Sequence, residues 1–253
     1  MDVATWIDSL RQEGARMTAA ARAMSAEMPV PTCPGWVTRD LIRHVGGVQR
    51  WATSFVAEAR AEPGSQTLEE LAGGWPSDEE QADWFEAGYL RLVSVLQAAP
   101  PDLQCWTFMA APSPLAFWSR RQAHETAIHR VDAELAAGRT VAHLSPCAPA
   151  FAADGIDELV TGFWPRRSAT ARAETPVTLG VGCSDDDGAW VVTMGPEGVQ
   201  TSVGAGETTC SVRGAACDLY FALWNRGGSE SLQIEGDRAV LAQFGEAMQV
   251  RWS

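Results

Sequence analysis

The sequence predicts an α+β protein in which a four-helix bundle precedes a small α+β domain. Apolar residues recur at three- and four-residue steps through four long segments before Gly138, and Pro- and Gly-marked connections separate them. Past the middle of the chain the apolar period falls to two, as a half-buried sheet requires.

The first helix is expected within residues 2–28, where Val3, Trp6, Ile7, Leu10, Met17, Ala21 and Met24 form the apolar stripe. Met28-Pro-Val-Pro31 ends it. A second helix opens after Pro34-Gly35-Trp36, with Thr38 as N-cap and Asp40 near the positive end of the helix dipole. Leu41, Val45, Val48, Ala52, Phe55 and Ala59 mark its inner face. Residues 62–77, rich in Gly, Pro and Ser, read as a loop. Ala82, Phe85, Tyr89, Leu92 and Leu96 then trace a third helix that stops before Pro100-Pro101. The fourth begins near Pro114, with Phe117, Ile128, Val131 and Leu135 apolar and Arg121, Glu125, His129 and Asp132 forming a polar row beside them. Such helices with short connections suggest an antiparallel bundle.

A fifth helix is expected over 148–164. Strands follow at 176–183 and 189–194 around the turn Ser184-Asp-Asp-Asp-Gly188, then at 199–203 and 208–212. Residues 214–226 return to helix, 232–235 form a short strand and 237–248 a last helix. The domain boundary is placed at 166–175, giving domains 1–170 and 171–253.

At 253 residues and 46% hydrophobic composition the chain can bury a substantial core. A net charge of -13 disfavours nucleic acid and anionic membrane surfaces as partners. No run approaches the ~20 apolar residues of a membrane span, and no secretory leader opens the chain. Six dispersed cysteines without a Cys-x-x-Cys pair read as reduced thiols, so the expected location is the cytoplasm.

Glu125 and His129, spaced i, i+4, share one helical face and can close on the same ion. His44 shares a face with Leu41, Val48 and Trp51 and so points into the bundle. A lone histidine on an apolar face is more often a packed core residue than a ligand. With the Glu–His pair, however, it completes a set of one carboxylate and two imidazoles, suited to zinc or a similar divalent metal with one coordination position open. His124 is the rival ligand, but it lies about 140° around an ideal helix from His129, against about 40° for Glu125. His143 falls in a connection. Asp132 is a candidate outer partner for a ligand histidine, and Arg121 and Arg130 flank the pair.

Three stretches resemble a known family. They are Val30-Pro-Thr-Cys-Pro-Gly-Trp-Val-Thr-Arg-Asp-Leu-Ile-Arg-His-Val-Gly-Gly47, Trp118-Ser-Arg-Arg-Gln-Ala-His-Glu-Thr-Ala-Ile-His-Arg-Val-Asp-Ala-Glu134, and Arg213-Gly-Ala-Ala-Cys-Asp-Leu-Tyr-Phe-Ala-Leu-Trp-Asn-Arg226 with Glu235-Gly-Asp237. Together they resemble the mycothiol-dependent maleylpyruvate isomerase-like family of the DinB-like metal-binding superfamily. The resemblance implies a DinB-like bundle, a sterol-carrier-like C-terminal domain, zinc at His44, Glu125 and His129, and mycothiol, a low-molecular-weight actinobacterial thiol, as cosubstrate. Asn225 stands where family members often carry Gly before the late Arg, and residues 105–114 carry no recognisable motif.

On this reading the metal lowers the thiol's pKa, and the thiolate attacks a small electrophile. With an activated cis-alkene, addition, rotation and elimination give the trans isomer; with a leaving group, a mycothiol S-transferase makes a stable thioether. Arg226, and less directly Arg238, are the candidates for holding a substrate carboxylate. A non-catalytic metal- or thiol-binding regulatory module and a ligand carrier are the readings of other classes. Trp75, Trp84, Trp106, Trp118 and Trp224 are pocket-lining candidates, although tryptophans in this number mainly reflect packing.

Overall fold

The computed structural model describes residues 1–248, which form two compact units, Met1–Leu144 and a second that begins at Ser145. The first is helical: α1 (Val3–Ala23), α2 (Thr38–Glu58), the short α3 (Leu68–Ala72), α4 (Gln81–Ala98) and α5 (Pro114–Ala136). Asp2 caps α1 by accepting from the Thr5 N–H at 2.8 Å, and Ser113 caps α5 with Pro114 in its first turn. At α2 the expected cap shifts by one residue. Val37 occupies the N-cap, its N–H donating to Asp40 Oδ2 at 3.0 Å, while Thr38 is already helical and its hydroxyl donates to the Ser25 carbonyl. The loop expected at 62–77 contains α3, which buries no residue and is held by the reciprocal Thr67–Glu70 capping box.

In the bundle, α1 and α2 each pack against both α4 and α5. The sequential neighbours α1 and α2 are therefore not a packed pair, and the layout differs from a simple up-and-down meander. Small residues set the approach of the helices. A Cβ on Gly14 of α1 would lie 2.7 Å from the Tyr89 ring of α4, and one on Gly46 of α2 would lie 2.1 Å from Trp84 Cζ3. Trp51, Phe55, Trp106, Phe108, Phe117 and Trp118 form one aromatic cluster, in which Phe55 stacks on Trp118 at 5.0 Å and Trp118 Nε1 donates to the Trp106 carbonyl at 3.0 Å. The segment without a motif, 105–114, is thus anchored by its own aromatics.

Helix α5 is buried on nearly all sides, charges included. Its ionised groups are paired: Arg121 with Glu125 at 2.7 Å, and Arg130 with Glu13 of α1 at 2.7 Å and with Glu134 at 3.1 Å. Unpaired, such charges would cost several kcal/mol each.

The second unit contains α6 (Pro149–Asp157), continuing into a π-turn (Glu158–Phe163), then β1 (Val177–Cys183), β2 (Ala189–Gly195), β3 (Gly198–Val203), β4 (Cys210–Gly214), α7 (Ala216–Leu223), β5 (Gln233–Gly236) and α8 (Arg238–Ala247). The sheet order is β3-β2-β1-β4-β5, antiparallel except for the parallel pair β1–β4. Leu179, Val181, Trp190, Val192, Met194, Cys210 and Val212 alternate onto the buried face. Helix α6 belongs here rather than with the bundle, so the division falls at 144/145, earlier than the 166–175 expected. Its reason is polar as well as apolar: Trp190 Nε1 donates to Asp157 Oδ1 at 2.9 Å and Trp224 Nε1 to the Gly155 carbonyl at 3.3 Å. A cavity of about 400 Å³ lies among Trp164, Leu179, Val212, Ile234 and Phe244, with Arg238 also lining it. No helix of the described residues is long and apolar enough to cross a membrane.

Candidate metal centre

The neighbouring helices α2 and α5 bring His44, Glu125 and His129 together, with one ligand atom of each within 4.8 Å of the others. Glu125 Oε1 lies 3.4 Å from His44 Nε2 and 3.3 Å from His129 Nε2. Two donors each about 2.1 Å from one tetrahedral cation would be about 3.4 Å apart. Glu125 Oε1 is buried and accepts no hydrogen bond of normal geometry among the described residues. Spacing, burial and donor type all fit a divalent metal of the zinc kind. Side-chain exposure is 17% at His44, 2% at Glu125 and 0% at His129, so access to the cluster is from the His44 side.

Asp132 Oδ2 lies 2.7 Å from His129 Nδ1 and Asp132 Oδ1 accepts from the Thr32 hydroxyl. A carboxylate at Nδ1 holds a proton on that nitrogen, so in the neutral ring Nε2, which faces Glu125, is the nitrogen available to a metal. Arg121 Nη2 donates to Glu125 Oε2 at 2.7 Å, occupying one carboxylate oxygen and leaving Oε1 for the cluster. Burial works to raise the Glu125 pKa, but the Arg121 guanidinium and the two imidazoles outweigh it and hold the carboxyl well below its ordinary range. Burial likewise works against the charged form of His129, and the Asp132 and Glu125 carboxylates overcome it and raise the pKa.

The connection between α1 and α2 closes over this site. Val30 N–H donates to the Trp36 carbonyl and Trp36 N–H to that of Cys33, both at 3.0 Å, with Gly35 at φ 88°. The turn sets the Trp36 ring 4.9 Å from His44 and 6.4 Å from His129, nearly parallel to the latter, and lets Cys33 Sγ donate to Asp132 Oδ2 at 3.6 Å. Cys33, His129 and Asp132 also have atoms close enough for a metal, but there His129 Nδ1 and Asp132 are already at hydrogen-bond distance. Spacing alone does not mark Thr32, Cys33 and Trp36 as site residues; their one sequence signal is that they lie in the first family-like stretch.

His124, the rival ligand, is fully buried and lies outside both groups of potential ligands. Arg226 belongs to the second unit, where it is buried and donates from Nη1 to the Trp224 carbonyl at 2.8 Å. Of the tryptophans, Trp118 and Trp224 are core residues, and Trp84 packs between Arg50 and Trp75.

A carboxylate and two imidazoles on adjoining helices, with one ring held from behind by a second carboxylate, define a helical-bundle protein with a candidate divalent-metal centre. The chain belongs to the mycothiol maleylpyruvate isomerase family: its residues 7–134 match the N-terminal domain of that family and residues 150–243 the MDMPI C-terminal domain. A crystal structure of the mycothiol-dependent maleylpyruvate isomerase is similar over 100% of this chain and 98% of that chain, at 14% identity and a TM-score of 0.64. A histidine-to-alanine mutant of that enzyme is similar over the same shares, at 15% identity and a TM-score of 0.63. At these identities the likeness establishes the fold. A comparison with curated protein sequences gave no match.

Proposed function

We propose that this chain is a metal- and mycothiol-dependent enzyme that carries out maleylpyruvate isomerase-like cis–trans isomerisation of a small electrophile. His44, Glu125 and His129 would hold the cation. The observation that carries the reading is the position of Glu125 Oε1, buried between two imidazole nitrogens at the spacing a tetrahedral ion needs. A divalent cation there supplies the positive charge that lets a thiol ionise near neutral pH, and mycothiol supplies the nucleophilic sulfur.

The chain's own residues prepare the site. Arg121 keeps Glu125 ionised and fixes its carboxylate, and Asp132 orients His129. Trp36 walls the two imidazoles, which narrows the approach and excludes water from part of the cluster.

Purified wild type should carry about one divalent metal per chain by elemental analysis, and His44→Ala and His129→Ala should lose it while keeping a helical circular-dichroism spectrum. Isomerisation regenerates the thiol, whereas S-transfer consumes it stoichiometrically. Product formation from a cis-alkene with constant mycothiol supports the isomerase; falling mycothiol assigns the transferase. Mycothiol binding without turnover of either substrate type would make the chain a binding module, and unchanged metal content in both variants would overturn the ligand assignment.

A further inference from the structure

The fold brings together two cysteines that the sequence leaves far apart. Cys147 and Cys217, 70 residues apart in the second unit, have their sulfurs 2.9 Å from one another, and the Cys147 N–H points at Cys217 Sγ at 3.3 Å. Both are half-buried, so a small reagent can reach them. Cys217 lies in the first turn of α7. The other cysteines are differently placed. Cys33, Cys183 and Cys210 are buried, and the Cys183 thiol is pushed up to about 11 by burial and by the carboxylates of Asp186 and Asp185. Cys105 is half-buried, and burial raises its pKa too.

We propose that Cys147 and Cys217 form a redox-active dithiol that closes to an intramolecular disulfide when the protein meets a low-molecular-weight disulfide. A disulfide bond of about 2.05 Å requires the two sulfurs to approach by only about 1 Å more. The Cys217 thiolate attacks the reagent RSSR, forming a Cys217–SR bond and releasing one RS⁻, which takes up the proton Cys217 gave up. Cys147, losing its own proton, then attacks Cys217 Sγ and expels the second RS⁻, which leaves as RSH. The sum is RSSR plus two protein thiols giving two RSH and one protein disulfide, so the reagent is reduced and the dithiol oxidised. The bond staples the segment ahead of α6 to the start of α7 and shortens the free chain of the unfolded state. Cys147 precedes the matched C-terminal family segment, 150–243, and Cys217 lies within it. The pairing does not depend on the metal chemistry proposed above.

The test uses the full chain, reduced with dithiothreitol, freed of reductant and exposed to hydroxyethyl disulfide. Thiols titrated after denaturation should fall from six to four, the chain should stay monomeric on a non-reducing gel, and peptide mapping should link Cys147 to Cys217. The thermal midpoint should rise on oxidation and return on reduction. Cys147→Ser should instead trap a hydroxyethyl adduct on Cys217, and Cys183→Ser should still form the internal bond. Six thiols persisting in the oxidised wild type, or a linkage through any other pair, would overturn the proposal. The wild-type result decides even if a variant folds poorly.

Discussion

At His129 the two ring nitrogens face different neighbours, Nδ1 the Asp132 carboxylate and Nε2 the Glu125 oxygen. Which nitrogen carries the proton decides whether the ring can donate a lone pair to a metal, and Asp132 decides it by accepting only. Asp132→Asn preserves size but removes the negative charge, and its amide can present an N–H to Nδ1 and reverse the tautomer. The expected outcome is about 10- to 100-fold weaker zinc binding, read by competition with a chromophoric chelator, with helix content unchanged. An unchanged affinity would mean that Asp132 serves the Thr32 and Cys33 contacts alone. A second residue sets the turn after α7. Asn225 has φ 63°, the left-handed region that Gly enters most easily and that Asn tolerates better than most side chains, so the turn after α7 survives without glycine.

Between elements, the contact of α2 with α4 depends on a missing side chain. Trp84 is pinned by the Arg50 guanidinium 3.7 Å from its ring centroid and by Trp75 at 6.1 Å, so its ring cannot retreat from a Cβ at position 46. Alanine gains about 1 kcal/mol of helix propensity over glycine, but overpacking a core costs about 1–3 kcal/mol and often forces a backbone shift. Gly46→Ala is therefore expected to destabilise by up to about 2 kcal/mol in denaturant titration, whereas Gly245→Ala in α8, where a Cβ meets nothing within 4 Å, should stabilise by up to about 1 kcal/mol. The long elements were legible because period is a local property: the stripes of α1, α2, α4 and α5 and the alternation in β1 to β4 are written in consecutive residues. Helix α3 was not, since five residues with no buried member carry no stripe. The parallel β1–β4 pairing and the attachment of α6 to the second unit were illegible for another reason, because both depend on partners distant in sequence. The candidate site divides the same way. The Glu125–His129 spacing shows in the sequence, while the covering by Thr32, Cys33 and Trp36 follows from how the α1–α2 connection folds.

Across the molecule, both groups of residues able to hold a metal lie in the first unit, among the described residues. A ligand that binds only the folded state stabilises it by RT ln(1 + [L]/Kd), about 2.7 kcal/mol at 100 times Kd, and suppresses the openings that release it. Hydrogen exchange of metal-stripped protein should therefore slow on adding zinc in peptides covering 30–37, 41–48 and 121–132. At 100 times Kd the slowing should be up to about 100-fold wherever exchange requires the site to open. Peptides from β1 to β4 should change far less, because their amides are protected by the sheet ladder and that unit brings no set of metal ligands to the described structure. Slowing confined to α5 would show that His44 of α2 takes no part in binding, since the two helices can be linked by the ion only if both supply a donor. Equal slowing throughout the chain would instead mean that the two units open as one, and the metal's stabilisation would then be a property of the whole chain rather than of the bundle.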